Sequence, residues 1–259
     1  MKRVRPLFVM GDVHGQLDAT LGHLRQAGLI DVVGEWRGRD AVLWFVGDLV
    51  DRGPDGLGTI DLVRRLEESA PADGGYVNTI LGNHDLLLLA ARRFRGPGDR
   101  HRFESAWRAG GSGTDLERIT DEQAEWLAAR SAMARASEWL VVHADSVLYL
   151  GQGRSVASVN AHFAQLTASQ EPEAWHRVLD DFGEHSAFHR PGIAAWFLDT
   201  YGGERIVHGH TPIPSMTGAA AKDVFAPLTY AGGRCLNVDG GMYLGGPGFL
   251  ARLDGWPSA

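Results

Sequence analysis

The chain has 259 residues, 44% hydrophobic and 22% charged, and its 25 basic and 32 acidic side chains leave a formal charge of −7. This composition excludes a predominantly disordered chain and supplies no basic surface for bulk nucleic-acid binding. The longest apolar runs fall far short of the roughly 20 residues that cross a bilayer, and the lone cysteine, Cys235, leaves neither an internal disulfide nor a cysteine-based metal site.

In chain order, Leu7–Met10 is a short apolar run that ends at Gly11–Asp12–Val13–His14–Gly15. A helix is expected over Leu17–Ala27. Val42–Val46 runs into Gly47–Asp48–Leu49–Val50–Asp51–Arg52–Gly53, a second helix is expected over Gly58–Leu66, and Val77–Leu81 runs into Gly82–Asn83–His84–Asp85. Phe94–Thr114, rich in Arg and Gly, breaks the pattern and reads as a loop over the site. Thr120 and Gln123 have the spacing of a helix capping box, with Ala124, Leu127 and Ala128 on the inward face. Leu140–Val142 meets His143–Ala144–Asp145, and a mostly helical excursion is expected over Gly151–Asp199. Arg205–Val207 then meets His208–Gly209–His210–Thr211, and Leu236–Val238 stops at Asp239–Gly240–Gly241.

Short apolar runs bounded by glycine read as buried strands, and their alternation with helices predicts an α/β layered fold. Ligands of open α/β sheets sit beyond the carboxyl ends of the strands, so the six endings point to one shared crevice. The length suits a single domain over residues 1–259, with lid or specificity insertions at about 92–139 and 151–199. The first strand and first polar motif begin at once, so no leader is expected and a cytoplasmic location is the default.

Asp12, His14, Asp48, Asn83, His143 and His210 together supply two carboxylates, one amide oxygen and three imidazoles. Mixed oxygen and imidazole donors suit borderline divalent metals such as manganese, iron or zinc. Two such ions outweigh the two aspartates and leave a site that attracts a phosphate ester. A metal pair also generates hydroxide near neutral pH, so hydrolysis of a phosphorus–oxygen bond needs no Ser or Cys nucleophile.

These residues stand in the order Gly-Asp-x-His-Gly, Gly-Asp-x-x-Asp-Arg-Gly, Gly-Asn-His-acid, a later His, and Gly-His-Thr, over about residues 8–212. The chain thereby resembles the calcineurin-like metallophosphoesterases, in the branch of phosphoprotein phosphatases and bacterial diadenosine tetraphosphatases. The resemblance implies a central mixed β-sandwich flanked by helices and two bound divalent ions, manganese before iron or zinc. It implies that Asp12 and His14 bind the first ion, that Asp48 bridges, and that Asn83, His143 and His210 bind the second. His84, paired with Asp51, would be the general acid, and Arg52 would grip phosphate oxygens. One departure is Leu81, where phosphoprotein phosphatases carry Arg before Gly-Asn-His. Arg190 is a candidate replacement phosphate ligand.

Blander readings exist for each residue. Asp and Asn beside Gly close turns, and Asp51 with Arg52 could be an exposed ion pair. Strand alternation turns His208 toward packing, and Asp239–Gly240–Gly241 reads as a structural turn. Trp107, Trp126, Trp139, Trp175 and Trp196 read as packing. Arg92, Arg93, Arg95, Arg100 and Arg102 read as a solvated face, with guidance of an anionic substrate as the minority alternative. The expected function is a serine/threonine-phosphatase-like phosphomonoesterase acting on a phosphorylated protein or nucleotide. Its rivals are a hydrolase of dinucleoside polyphosphates and a catalytically silent binding module of the same fold. No membrane partner is expected, and the sequence does not specify an oligomeric state.

Overall fold

The computed structural model describes residues 5–95, 101–110 and 113–256. Arg100, Gly111 and Ser112 therefore lie outside the described residues. The chain opens with strand β1 (Leu7–Met10), helix α1 (Leu17–Gln26), β2 (Val42–Phe45), α2 (Gly56–Ser69), β3 (Tyr76–Thr79) and α3 (Asn83–Arg93). A helical run follows: α4 (His101–Gly110), α5 (Gly113–Arg118) and α6 (Asp121–Ala128). Then come β4 (Met133–Ala136), β5 (Trp139–Val142), α7 (Leu148–Gln152), α8 (Val156–Ala168), α9 (Pro172–Asp181) and α10 (Ile193–Tyr201). The last described elements are β6 (Arg205–His208), α11 (Ile213–Thr217), β7 (Leu228–Tyr230), β8 (Cys235–Asn237) and β9 (Leu250–Arg252).

All six apolar runs are strands, divided between two mixed sheets ordered β3-β2-β1-β9 and β4-β5-β6-β8-β7. Within the first sheet β1, β2 and β3 are parallel, with Met10 level with Phe45 and Phe45 level with Thr79. In the second, β5, β6 and β8 are parallel, and His208 is level with Asn237. Each motif loop therefore leaves its sheet at the same edge as its neighbours.

Side-chain alternation explains the layering. Leu7, Val9, Trp44 and Val46 of the first sheet meet Ala134, Ala136, Val141, Val207 and Leu236 of the second in one core cluster between the sheets. Met10, Leu43, Phe45, Leu140, Val142 and Ile206 point outward and pack with helix residues such as Leu24, Ile60, Val63, Phe163 and Phe197. The result is the expected β-sandwich with helices on both outer faces.

Thr120 caps α6 in the predicted manner, accepting from the Gln123 N–H while Gln123 reaches back to the Thr120 N–H. Leu127 is buried and Ala124 and Ala128 pack beside it. The second helix is longer than its apolar pattern implies, starting at Gly56 because the Asp55 carboxylate caps it through the Gly58 N–H. Where an Arg- and Gly-rich loop is expected over Phe94–Thr114, the described residues of the segment hold α4 and the start of α5. Phe103 and Trp107 stand four apart, which puts them on one helical face, and both are buried. The segment's Arg and Gly content masks that spacing.

Candidate metal centre and active site

Asp48 occupies the middle of the converged edge. Its Oδ2 lies 3.6 Å from His14 Nε2 and 3.4 Å from His143 Nε2, and its Oδ1 accepts the His84 N–H at 2.9 Å. Asn83 Oδ1 lies 2.9 Å from His143 Nε2 and 3.0 Å from His210 Nδ1. Asp12 Oδ2 accepts the His210 N–H. Asp12, Asp48 and His143 form one group of clustered ligand atoms, and His14, Asp48 and His84 form another, so Asp48 belongs to both.

The imidazoles are oriented from behind. His14 Nδ1 faces the Val50 carbonyl at 3.1 Å and His143 Nδ1 the Val46 carbonyl at 2.8 Å. A carbonyl only accepts, so both rings donate from Nδ1 and turn Nε2 inward, where it is a lone pair whenever the ring is neutral. His143 Nε2, Asn83 Oδ1 and Asp48 Oδ2 are then acceptors facing one another, an arrangement that requires a second proton or a cation among them. Asp12 Oδ1, His210 Nε2 and Asp239 Oδ2 are buried with no hydrogen-bond partner among the described residues. This donor set fits a divalent metal.

The electrostatics argue the same way. Burial, together with Asp239, raises Asp12 well above the ordinary carboxylate range. Burial and the Asp48 charge push Asp85 and Asp239 to about 7. Burial would raise Asp48 also, but His143, His84 and His14 hold it well below its usual range. Burial should depress His143, yet Asp48 and Asp12 overcome it and lift the imidazole to about 10. His14 and His210 are pushed down, chiefly by burial, His14 to about 4. Buried carboxylates repel one another unless cations intervene, and a bound divalent ion would favour the deprotonated form of every ligand, reversing the rise of Asp12 and His143.

Backbone strain is concentrated here. His14, Asp48, Asp51, Arg52 and His210 all have positive φ, between 45° and 70°. Such conformations cost about 1–3 kcal/mol each and persist only where surrounding structure over-determines them. The Asp85 carboxylate provides part of that determination by accepting the N–H groups of Asp48, Leu49 and Gly82 at 2.9–3.0 Å. Gly82 permits the fit, because a Cβ there would lie 2.0 Å from Asp48 Oδ1.

His84 Nδ1 lies 2.6 Å from Asp51 Oδ2. Its Nε2 is 3.2 Å from the Arg52 guanidinium, which only donates, so a hydrogen bond there needs the Nε2 lone pair. Burial would raise Asp51, but the hydrogen bond from His84 holds it below the usual range. Helix α4 approaches Asp51 of this pair closely. A Cβ on Gly110, the last residue of α4, would lie 2.3 Å from Asp51 Oδ2. Gly110→Ala is expected to displace Asp51 and lower kcat by about 10–100-fold, the scale of a 1 Å misplacement, with metal content retained. Steady-state kinetics beside elemental analysis check this; an unchanged kcat would remove α4 from the support of the pair.

A sequence profile described as calcineurin-like phosphoesterase matches residues 5–214. The chain belongs to this family. Among curated relatives of this phosphoesterase, Shewanella-like protein phosphatase 2 of Arabidopsis thaliana is 35% identical over 83 residues, 32% of this chain and 21% of that one. Symmetrical bis(5'-nucleosyl)-tetraphosphatase of Vibrio cholerae is 29% identical over 184 residues, 66% of this chain and 60% of that one. The phosphoesterase thus spans less than two thirds of these relatives' lengths. Its fold is shared with a cold-active protein-tyrosine phosphatase of a psychrophilic Shewanella (TM-score 0.73, 20% identity, 96% of this chain and 75% of that one). A protein serine/threonine phosphatase of Saccharomyces cerevisiae is also similar (TM-score 0.54, 16% identity, 90% and 66%). The family is metal-dependent, and the phosphoesterase carries candidate ligand groups for it.

The phosphoesterase cleft has a volume of about 610 Å³ and is lined by His14, Asp48, Asn83, His210, His84 and Arg52 among others. Asp12 and His143 lie buried beneath it. Arg190 is not brought in: its guanidinium pairs with Glu184 at 2.7 Å, and it borders a separate hollow beside Phe188 and Arg234. Arg92, Arg93 and Arg95 bind Asp121, the carbonyls of Thr167 and Ser169, and the Leu116 carbonyl, so they tie helices together. His208 is a packing residue as expected, buried with Nε2 2.7 Å from the Tyr230 hydroxyl. Trp107, Trp139 and Trp175 are buried, whereas Trp196 is 46% exposed.

Three residues of the cleft region escaped the sequence. Asp239 closes a strand like the other ligand candidates, yet it reads as a turn because its Oδ1 does cap the Gly241 N–H. His185 stacks on His210 with centroids 4.3 Å apart and bonds Thr211, whose hydroxyl donates to Asp145. Tyr243 touches both His14 and Arg52. Neither His185 nor Tyr243 sits in a recognisable motif.

Proposed function

We propose that this chain is a phosphatase that hydrolyses phosphomonoesters at a centre of two divalent ions, manganese before iron or zinc, bridged by Asp48. Asp12 and His14 complete one site, and Asn83, His143 and His210 the other. The observation that carries the reading is the convergence of buried acceptor atoms on Asp48 from both sheets. When bound, the ions supply positive charge to phosphoryl oxygens and make water a nucleophile near neutral pH.

The chain's own groups supply the remaining steps. Arg52, exposed at the cleft, presents its planar fork to phosphate oxygens. In leaving His84 for the phosphate it uncovers Nε2, the atom from which a protonated His84 passes a proton to the leaving oxygen. Asp51 holds Nδ1 and fixes the ring. Arg52→Ala is expected to lower kcat/KM by about 10–100-fold, the worth of hydrogen bonds to a charged group. Kinetics with nitrophenyl phosphate measure it.

A monoester reading is favoured because Arg52 is the one guanidinium lining the cleft among the described residues. A dinucleoside tetraphosphate spreads more charge along its chain and calls for more cations. The second reading, hydrolysis of dinucleoside polyphosphates, draws support from Leu81 and from the 184-residue similarity to the Vibrio cholerae tetraphosphatase. Turnover of a phosphopeptide, nitrophenyl phosphate and diadenosine tetraphosphate, compared with manganese present, separates them. Efficient cleavage of the dinucleotide alone would overturn the monoester reading, and no turnover of any would favour a silent binder.

A further inference from the structure

The geometry points to Tyr243 as the positioning residue that aims Arg52 into the cleft. The Arg52 guanidinium carbon lies 4.3 Å from the centroid of the Tyr243 ring, over its face. The same ring meets His14 edge-on, with centroids 4.8 Å apart and planes at 76°. Tyr243 is half-buried, in the turn after β8, and so braces the second sheet's loop against residues that follow β1 and β2. That turn is itself fixed, since the Gly241 N–H donates to the buried Asp239 carboxylate at 2.8 Å.

Arg52 needs such a brace. Its backbone is left-handed, and so is that of Asp51 before it, with φ of 64° and 70°. Its guanidinium has only His84 Nε2 as a hydrogen-bonded side-chain partner among the described residues. Phosphate competes for the N–H groups that make that contact, whereas the ring face makes no claim on them. An aromatic face attracts a guanidinium electrostatically without consuming its N–H donors, so the fork stays free for phosphate oxygens. This role rests on the assignment of Arg52 as the phosphate-gripping residue.

The test measures competitive inhibition by inorganic phosphate, with KM and kcat for nitrophenyl phosphate, in manganese-loaded protein of verified metal content. Tyr243→Leu and Tyr243→Met are expected to weaken phosphate inhibition about tenfold and to raise KM in step, with a smaller change in kcat. Tyr243→Phe keeps the ring and is expected to restore phosphate affinity. In an Arg52→Ala background Tyr243→Leu should add nothing, the signature of one residue acting through another. The inference is overturned if Tyr243→Phe is as damaging as Tyr243→Leu, if the two losses add in full, if phosphate inhibition is unmoved, or if metal is lost. Should Arg52→Ala itself leave phosphate inhibition unchanged, the Arg52 assignment fails instead, and with it the gripping role in the proposed function.

Discussion

Asp48→Asn is expected to yield a folded protein that has lost metal from both sites and at least about 10³-fold of its kcat/KM, the scale of removing one strong transition-state contact. The expectation follows from position. Asp48 Oδ2 lies 3.6 Å from His14 Nε2, assigned to one ion, and 3.4 Å from His143 Nε2, assigned to the other. Asn keeps the shape and one oxygen, so Oδ1 can still accept the His84 N–H that ties the two motif loops. It removes the negative charge on which two cations depend. Asp12 and the histidines alone cannot offset that loss, because an imidazole contributes no charge and Asp12 lies to one side. Elemental analysis after reconstitution with manganese, read beside the kinetics, decides the matter. Loss of one ion with full retention of the other would contradict the bridging role whatever happens to activity.

The ligand candidates are legible in the sequence for a physical reason. Each closes a short apolar run at a turn rich in glycine, and strands buried on both faces leave such runs nearly unbroken. Parallel pairing then carries Asp12, Asp48 and Asn83 to one edge of the first sheet, and His143, His210 and Asp239 to the matching edge of the second. Three of the edge strands, β4, β7 and β9, are not legible, because their composition is mixed and no motif closes them. Support of the catalytic pair is equally hidden. Gly110 reaches Asp51 only because Phe103 and Trp107 bury one face of α4, and a Gly-rich, Arg-rich stretch suggests a loop before it suggests that face. Arg190 shows the limit of linear proximity. It stands twenty residues before His210, but its guanidinium pairs with Glu184 and does not line the cleft. Tyr243 has the opposite history: no motif marks it, and only the turn between Gly241 and Gly245 carries its ring over Arg52.

His84→Asn is expected to lower kcat on an alkyl phosphomonoester such as a phosphoserine peptide by about 10²–10⁴-fold, the usual contribution of a positioned general acid. The loss should be much smaller on nitrophenyl phosphate, whose leaving oxygen departs readily as an anion and needs little help from a proton. Metal content should persist, since Asp12, His14, Asp48, Asn83, His143 and His210 are untouched. The argument rests on how His84 is held. Its Nδ1 is fixed by Asp51 at 2.6 Å, its backbone N–H is fixed by Asp48, and its Nε2 has Arg52 as its hydrogen-bond partner among the described residues, a group that phosphate can draw off. Asn has no ionisable nitrogen, so it can occupy the space and bond Asp51 without delivering a proton. The contrast between the two substrates is the informative quantity, because a purely structural role for His84 would depress both alike. Equal losses would therefore move His84 from proton donor to scaffold, and leave the protonation of the leaving oxygen to some other group in the cleft.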